Sequence, residues 1–198
     1  MISNQIGRGA RVLLRGIVAA LIFFRIKPNH LTFIGFLISI LVAYYYATGR
    51  FIAGGIALII AGLFDMTDGL VARKIGATTQ FGAFFDSIMD RYSDLIMYLG
   101  LIIYYGNADR INYVVLIGVV MMGSVLTSYA RARAECFIEK CKVGFLERPE
   151  RIVLLLIGSF YLMDPVIWVI ALFSNLTVVH RILYTRAELS GKKSIVKL

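Results

Sequence analysis

The sequence predicts an all-α integral membrane protein with six transmembrane helices, preceded by an N-terminal amphipathic helix in the membrane interface. Three observations carry that prediction. Of 198 residues, 59% are hydrophobic and only 17% charged, and the mean hydropathy of +0.79 far exceeds that of a soluble single-core domain. Apolar runs recur near 31–49, 51–72, 81–105, 111–130, 147–163 and 165–184, each close to the ~20 residues that a helix needs to cross ~30 Å of hydrocarbon. Ahead of them, Arg8, Arg11 and Arg15 recur at three- to four-residue spacing among Val12, Leu13, Leu14, Ile17, Val18 and Leu21, as in a helix lying along a membrane rather than a signal peptide. Its uncharged run from Gly16 to Phe24 is too short to span.

The expected organisation is therefore a juxtamembrane amphipathic helix over 1–27, a six-helix domain over 28–186 and a cytoplasmic tail over 187–198. With only 3 Pro and sparse, clustered charge, disordered and collagen-like architectures are excluded. The 2 Cys, Cys136 and Cys141, form neither a disulfide framework nor a metal-ligand spacing. A net charge of +9 in a polytopic protein reports orientation and contact with anionic lipid, so no nucleic-acid partner is expected.

An even number of spans puts both termini on one side of the bilayer. The links at 48–51 and 106–112 carry only Arg50 and Arg110, and that at 162–166 carries no basic residue; the other 19 of 21 Lys and Arg lie toward the opposite face. The positive-inside rule then places both termini in the cytoplasm, with the plasma (cell inner) membrane as the expected location. On that face the apolar runs stop short. The second run meets Asp65 and Asp68, and the third carries Asp86, Asp90, Arg91 and Asp94. Since each charge in lipid costs several kcal/mol, these groups are expected to face one polar cavity open to the cytoplasm.

Between the two ends of that cluster the chain reads DMTDGLVARKIGATTQFGAFFDSIMD. The aspartates pair at three- and four-residue spacing, so each pair shares one helix face. Four intramembrane carboxylates call for cations, and oxygen ligands suit Mg²⁺ or Mn²⁺, the ions that hold diphosphates during displacement. Structural carboxylates paired with Arg73, Arg91 and Arg131 are the bland alternative, disfavoured by the cost of burying four of them.

Asp65, Asp68, Gly69, Ala72, Arg73, Gly82, Asp86 and Asp90 match D-x2-D-G-x2-A-R-x8-G-x3-D-x3-D at every fixed position, so the stretch resembles the signature of the CDP-alcohol phosphotransferase family. The resemblance implies six transmembrane helices, a homodimer, and transfer of a phosphatidyl-type group from CDP-diacylglycerol to an alcohol with release of CMP. It implies that Asp65, Asp68, Asp86 and Asp90 hold a pair of metal ions and that Asp90 also acts as general base. It assigns Gly69, Arg73, Thr79 and the stretch Asn29, His30, Leu31, Thr32 to the CDP moiety.

Beyond the signature, DRYSD at 90–94, SYARARAE at 128–135 and GFLERPER at 144–151 look like the phosphatidylinositol phosphate synthase branch of that family. A phosphorylated polyol acceptor, myo-inositol 1-phosphate, is then expected, with glycerol 3-phosphate as the runner-up. Such an acceptor needs a cationic pocket apart from the metals. Arg131, Arg133, Arg148, Arg151 and Arg181 are its candidates by position, and the resemblance favours Arg131, Arg133, Arg151 and Arg181. From other classes, an intramembrane prenyltransferase would release pyrophosphate rather than CMP, and a cation transporter would need no nucleotide. His30 and His180 lack partners at metal spacing. Asn175 to Thr177 is a chance sequon within an apolar run, Gly54, Gly55, Gly62 and Gly69 suggest close helix packing, and Tyr104, Tyr105 and Tyr113 suggest an aromatic belt.

Overall fold

The computed structural model describes residues 28–74 and 79–195, apart from the side chains of Asp68, Ala72 and 192–195. The described residues are helical with no strand: α1 Pro28–Ala47, α2 Phe51–Lys74, α3 Gln80–Asn107, α4 Ile111–Ala134, α5 Arg148–Phe160 and α6 Met163–Ile195. The amphipathic helix expected over 1–27 lies outside the described residues. Four helices, α1, α2 through Val71, α4 and α6 through Gly191, are long and apolar enough to cross a membrane, and the chain is membrane-embedded. The other two depart from a plain hydrophobic span for physical reasons: α3 carries Asp86, Asp90, Arg91 and Asp94, and α5 has 13 residues, or about 20 Å at ~1.5 Å per residue. α6 runs on through the segment expected as a cytoplasmic tail from 187, as far as Ile195.

The tight links are built by left-handed residues. After α1, Gly49 has φ 71°, and the N–H groups of Gly49 and Arg50 close onto the carbonyls of Tyr46 (3.0 Å) and Tyr45 (2.9 Å), a Schellman motif. Asp109 repeats it after α3 at φ 54°, with Arg110 N–H on Tyr105 O at 2.9 Å. The longer α4–α5 link is fastened to α6 by Thr177, whose Oγ1 accepts from Phe145 and Leu146 N–H at 3.0 Å each and donates to Phe173 O at 2.7 Å.

Within the bundle, α1 packs on α2 and α3, α4 on α3 and α6, and α5 on α2 and α6. Their common core includes Tyr46, Leu58, Met97, Tyr98, Leu101, Ile117, Leu155 and Ile170. Lipid tails are as apolar as these side chains, so small residues and buried hydrogen bonds must favour one packing over another. A Cβ at Gly55 would stand 2.8 Å from Ser159 Cβ, and one at Gly123 2.8 Å from Ser174 Cβ. Tyr46 OH and Ser159 Oγ are 2.7 Å apart, joining α1 to α5. Gly62, by contrast, faces open space, so the close-packing expectation fails there. The belt expectation fails for Tyr105, which is buried, with its hydroxyl donating to Asp164 at 2.5 Å while Arg110 pairs with the same carboxylate at 2.7 Å. Arg110 also lies 4.1 Å over the Tyr113 ring.

The tightest approach is α3 onto α1, where a Cβ at Gly100 would overlap the backbone of Ala43. Neither partner is a flexible side chain, so Gly100→Ala should lower unfolding stability by about 1–3 kcal/mol. Gly118→Ala, which meets nothing within 4 Å, should lose none. Thermal unfolding of both variants in detergent checks this, and equal midpoints would disprove the α1–α3 constraint.

Candidate active site

The acidic cluster forms where α2 ends and α3 begins. Thr79 caps α3 in an extended conformation, its Oγ1 accepting from Gly82 N–H at 2.9 Å. This cap fixes where α3 starts and so which way Asp86 and Asp90, one turn apart, project. A Cβ at Gly82 would lie 3.0 Å from Thr79 Oγ1 and 3.4 Å from Asn29 Oδ1, so Asn29 of α1 and Thr79 meet beside the first turn of α3. Asp65, Asp86 and Asp90, all half-buried, each offer a carboxylate oxygen within 4.8 Å of the others. This all-oxygen donor set fits a hard divalent cation such as Mg²⁺ or Mn²⁺. The side chain of Asp68 lies outside the described residues.

The counter-charges come from α5. Arg148 Nη1 lies 3.0 Å from Asp65 Oδ2 and 3.0 Å from Asp90 Oδ1, and its Nε 3.4 Å from Asp94 Oδ1. Arg151 and Asp94, both buried, pair at 2.7 Å, and Arg151 reaches Thr127 Oγ1 at 3.5 Å. Of the arginines weighed from sequence as partners for the carboxylates, Arg91 and Arg131 bond elsewhere. Arg91 donates to Ser87 O, Arg131 pairs with Glu135 at 3.2 Å, and Arg73 folds over Gly69, its Nη1 3.6 Å from where a Cβ would stand. Just past α4, Cys141 N–H and then Arg131 bond the exposed Glu135 carboxylate and hold its pKa below the usual range.

Two cavities adjoin this network. One of about 520 Å³ is largely apolar, lined by Thr32, Gly35, Ser39, Leu58 and Met97 and ending at Asp65, Asp90 and Arg148. The other, of about 480 Å³, is polar and lined by Asp90, Thr127, Arg131, Glu147, Arg148, Arg151 and Arg181. Asp90 and Arg148 therefore wall both. Arg181 is buried and anchored to backbone, with Nε on Val143 O at 2.8 Å and Nη1 on Thr127 O at 2.5 Å, while Nη2 meets Glu147.

Of the residues assigned to an acceptor pocket, Arg131, Arg151 and Arg181 converge on the polar cavity. Arg133 stands apart, exposed, with its guanidinium 4.9 Å over the Phe137 ring, because neighbours two residues apart on a helix point to different faces. In the stretch assigned to the nucleotide, Thr32 lines the apolar cavity and His30 is exposed, whereas Leu31 is fully buried against Val71, Phe64 and Leu70. Sequence reasoning expected Asp94 to face the polar cavity but gave it no role in the site, and left Arg148 out of the favoured set. The signal for both was spacing: Asp94 falls one turn beyond Asp90, and Arg148 three residues before Arg151. His180 packs against Phe145, ring centroids 5.3 Å apart, and both cysteines are free.

A domain model described as CDP-alcohol phosphatidyltransferase matches residues 25–183. The archaetidylinositol phosphate synthase of Methanothermobacter thermautotrophicus is 36% identical over 166 residues, covering 80% of this chain and 83% of that protein. The crystal structure of Mycobacterium tuberculosis phosphatidylinositol phosphate synthase with CDP-DAG bound superposes with a TM-score of 0.80 at 29% identity, covering 87% of this chain and 92% of that one. The same enzyme in complex with manganese and citrate gives 0.79 at 31% identity, covering 87% and 88%.

The buried Asp94–Arg151 pair generates a stability prediction. Removing one partner strands the other charge, so Asp94→Asn and Arg151→Gln should each cost about 3–5 kcal/mol. The double variant should lose clearly less than the two combined, by more than about 1 kcal/mol. Unfolding of all three in detergent decides; strictly additive losses would mean that the pair is not coupled.

Proposed function

We propose the following reaction for this chain, which belongs to the CDP-alcohol phosphatidyltransferase family and is an enzyme of that class. It transfers the phosphatidyl group of CDP-diacylglycerol to myo-inositol 1-phosphate, giving phosphatidylinositol phosphate and CMP. The observation that carries this reading is the shared wall: Asp90 and Arg148 border both the apolar cavity and the arginine-rich one. A donor with insoluble tails fits the first and a phosphorylated, water-soluble acceptor the second. The names of the relatives point to the same acceptor.

Asp65, Asp68, Asp86 and Asp90 would hold Mg²⁺ or Mn²⁺, as the manganese complex of the mycobacterial relative supports. When bound, such ions neutralise the diphosphate and the charge that develops as it is displaced. The remaining chemistry belongs to the chain. The acceptor hydroxyl attacks the phosphorus bearing the lipid, the bond from that phosphorus to the CMP oxygen breaks, and the hydroxyl proton passes to Asp90. Asn29, Thr32, Gly69, Arg73 and Thr79 bind the CDP portion, and Arg131, Arg151 and Arg181 orient the acceptor phosphate through charge-assisted hydrogen bonds. Arg133 is left out of that set.

In this reading α3 and α5 complete six spans, their charges turned toward the cavities, after an N-terminal amphipathic segment over 1–27. The catalytic domain covers 28–186. Both termini and the site face the cytoplasm at the plasma membrane, following the distribution of Lys and Arg, and the enzyme works as a homodimer.

Purified protein in detergent, supplied with CDP-diacylglycerol and Mg²⁺, should release CMP with inositol 1-phosphate but not with inositol, serine or glycerol 3-phosphate, and EDTA should stop it. Release with glycerol 3-phosphate instead would keep the chemistry and overturn the acceptor. No release with any acceptor would overturn the reaction. Asp90→Asn should reduce turnover more than about a hundredfold while CDP-lipid binding persists; near-normal turnover would remove Asp90 as base.

A further inference from the structure

We propose that Glu147 is an internal competitor in the arginine-rich cavity, a carboxylate that must release Arg181 and Arg131 before an acceptor phosphate binds, and that it thereby sets acceptor affinity. The inference rests on reading that cavity as the acceptor site. Two guanidinium groups from different helices converge on one oxygen, Glu147 Oε1: Nη2 of Arg181 from α6 and Nη1 of Arg131 from α4, the latter at 3.5 Å. That convergence is what an oxygen of a bound phosphate requires.

Mobility separates the partners. Arg181 is 3% exposed, and its Nε and Nη1 are committed to the carbonyls of Val143 and Thr127. Its position therefore does not depend on Glu147, and Nη2 is the edge left toward the cavity. Glu147 is 43% exposed, so its carboxylate can turn toward water as the incoming phosphate takes over as counter-charge to the buried Arg181. A dianionic phosphate is the stronger partner for two guanidinium groups and displaces the monovalent carboxylate. Such a competitor lowers the affinity of every ligand needing that edge by one common factor, the fraction of time the edge is available. A positioning role for Glu147 predicts the opposite sign, because losing it would loosen Arg181 and weaken anion binding.

The test uses full-length protein in detergent with Glu147→Gln and Glu147→Ser. Glu147 is the N-cap of α5 in a capping box with Glu150, and serine keeps that cap while removing the carboxylate. In both variants the KM for inositol 1-phosphate and the inhibition constant of inorganic phosphate should fall together by the same factor, roughly three- to tenfold, with kcat little changed. Arg181→Gln should raise both constants more than about tenfold, and the more exposed Arg131→Gln gives the same readout should Arg181→Gln fail to fold. A KM that rises or stays constant in the Glu147 variants, or that falls without the phosphate constant, overturns the proposal while the arginine effects leave the acceptor site standing. Arginine variants with an unchanged KM overturn the acceptor site itself, and the competitor with it.

Discussion

The ion network around Arg148 is the constraint on which the rest of this bundle depends. An isolated charge in hydrocarbon costs several kcal/mol, and α3 alone brings Asp86, Asp90 and Asp94 into the middle of the fold. Asp90 and Asp94 are tolerated because Arg148 and Arg151, one turn apart on α5, reach them, the first bridging Asp65, Asp90 and Asp94 and the second paired to Asp94. The first turn of α5, where its charges lie, is level with the carboxylates that Arg148 and Arg151 meet. α1 carries no charged residue apart from His30, whereas the last turns of α2 share the polar work through Asp65.

That network also divides space. Its residues stand between the apolar cavity against α1 and α2 and the polar cavity against α4 and α6, with Asp90 and Arg148 forming the partition. A lipid-linked diphosphate and a soluble phosphate have opposite solvation requirements, and a common wall is the arrangement that lets reacting atoms meet while tails and headgroup stay in their own media. The wall is held to a fixed geometry from both sides. Gly100 lets α3 sit on the backbone of α1, and Thr177 and Arg181 fasten the α4–α5 link through its main chain.

Much of this was legible in the sequence, because helix spans and carboxylate faces follow from periodicities that local sequence sets. The apolar runs anticipated α1 to α6 within a few residues at most ends, and the fixed spacing of Asp65, Asp86 and Asp90 anticipated their convergence. What stayed hidden was long-range pairing. Spacing puts Arg148 on the face of Arg151 but does not say which carboxylates it meets, and Arg91, next to Asp90 in the chain, bonds back to its own helix at Ser87. Arg133 and Arg131 look equivalent in SYARARAE, yet helix phase sends one to Phe137 and the other into the cavity. Tyr105 read as interfacial because the polar partner that lets it be buried, Asp164, lies far along the chain.

The two ends of the bundle handle charge in different ways, and the difference bears on function. At one end Arg110, Asp164 and Tyr105 form a closed knot, a single cation against a single carboxylate with an aromatic hydroxyl completing it. At the other, charge is partly segregated: Asp65, Asp86 and Asp90 gather on α2 and α3, while Arg131, Arg151 and Arg181 gather on α4, α5 and α6, with Arg151 neutralised by Asp94 of α3. Segregation is electrostatically less favourable than mixing the same groups, so packing and backbone anchors must maintain it. A surface arranged in this way presents an acidic side suited to cations and a basic side suited to anions. Arg148 and Glu147, adjacent in the chain, each carry the opposite sign into the side they face, limiting the cost of the separation until substrates and ions take over that role.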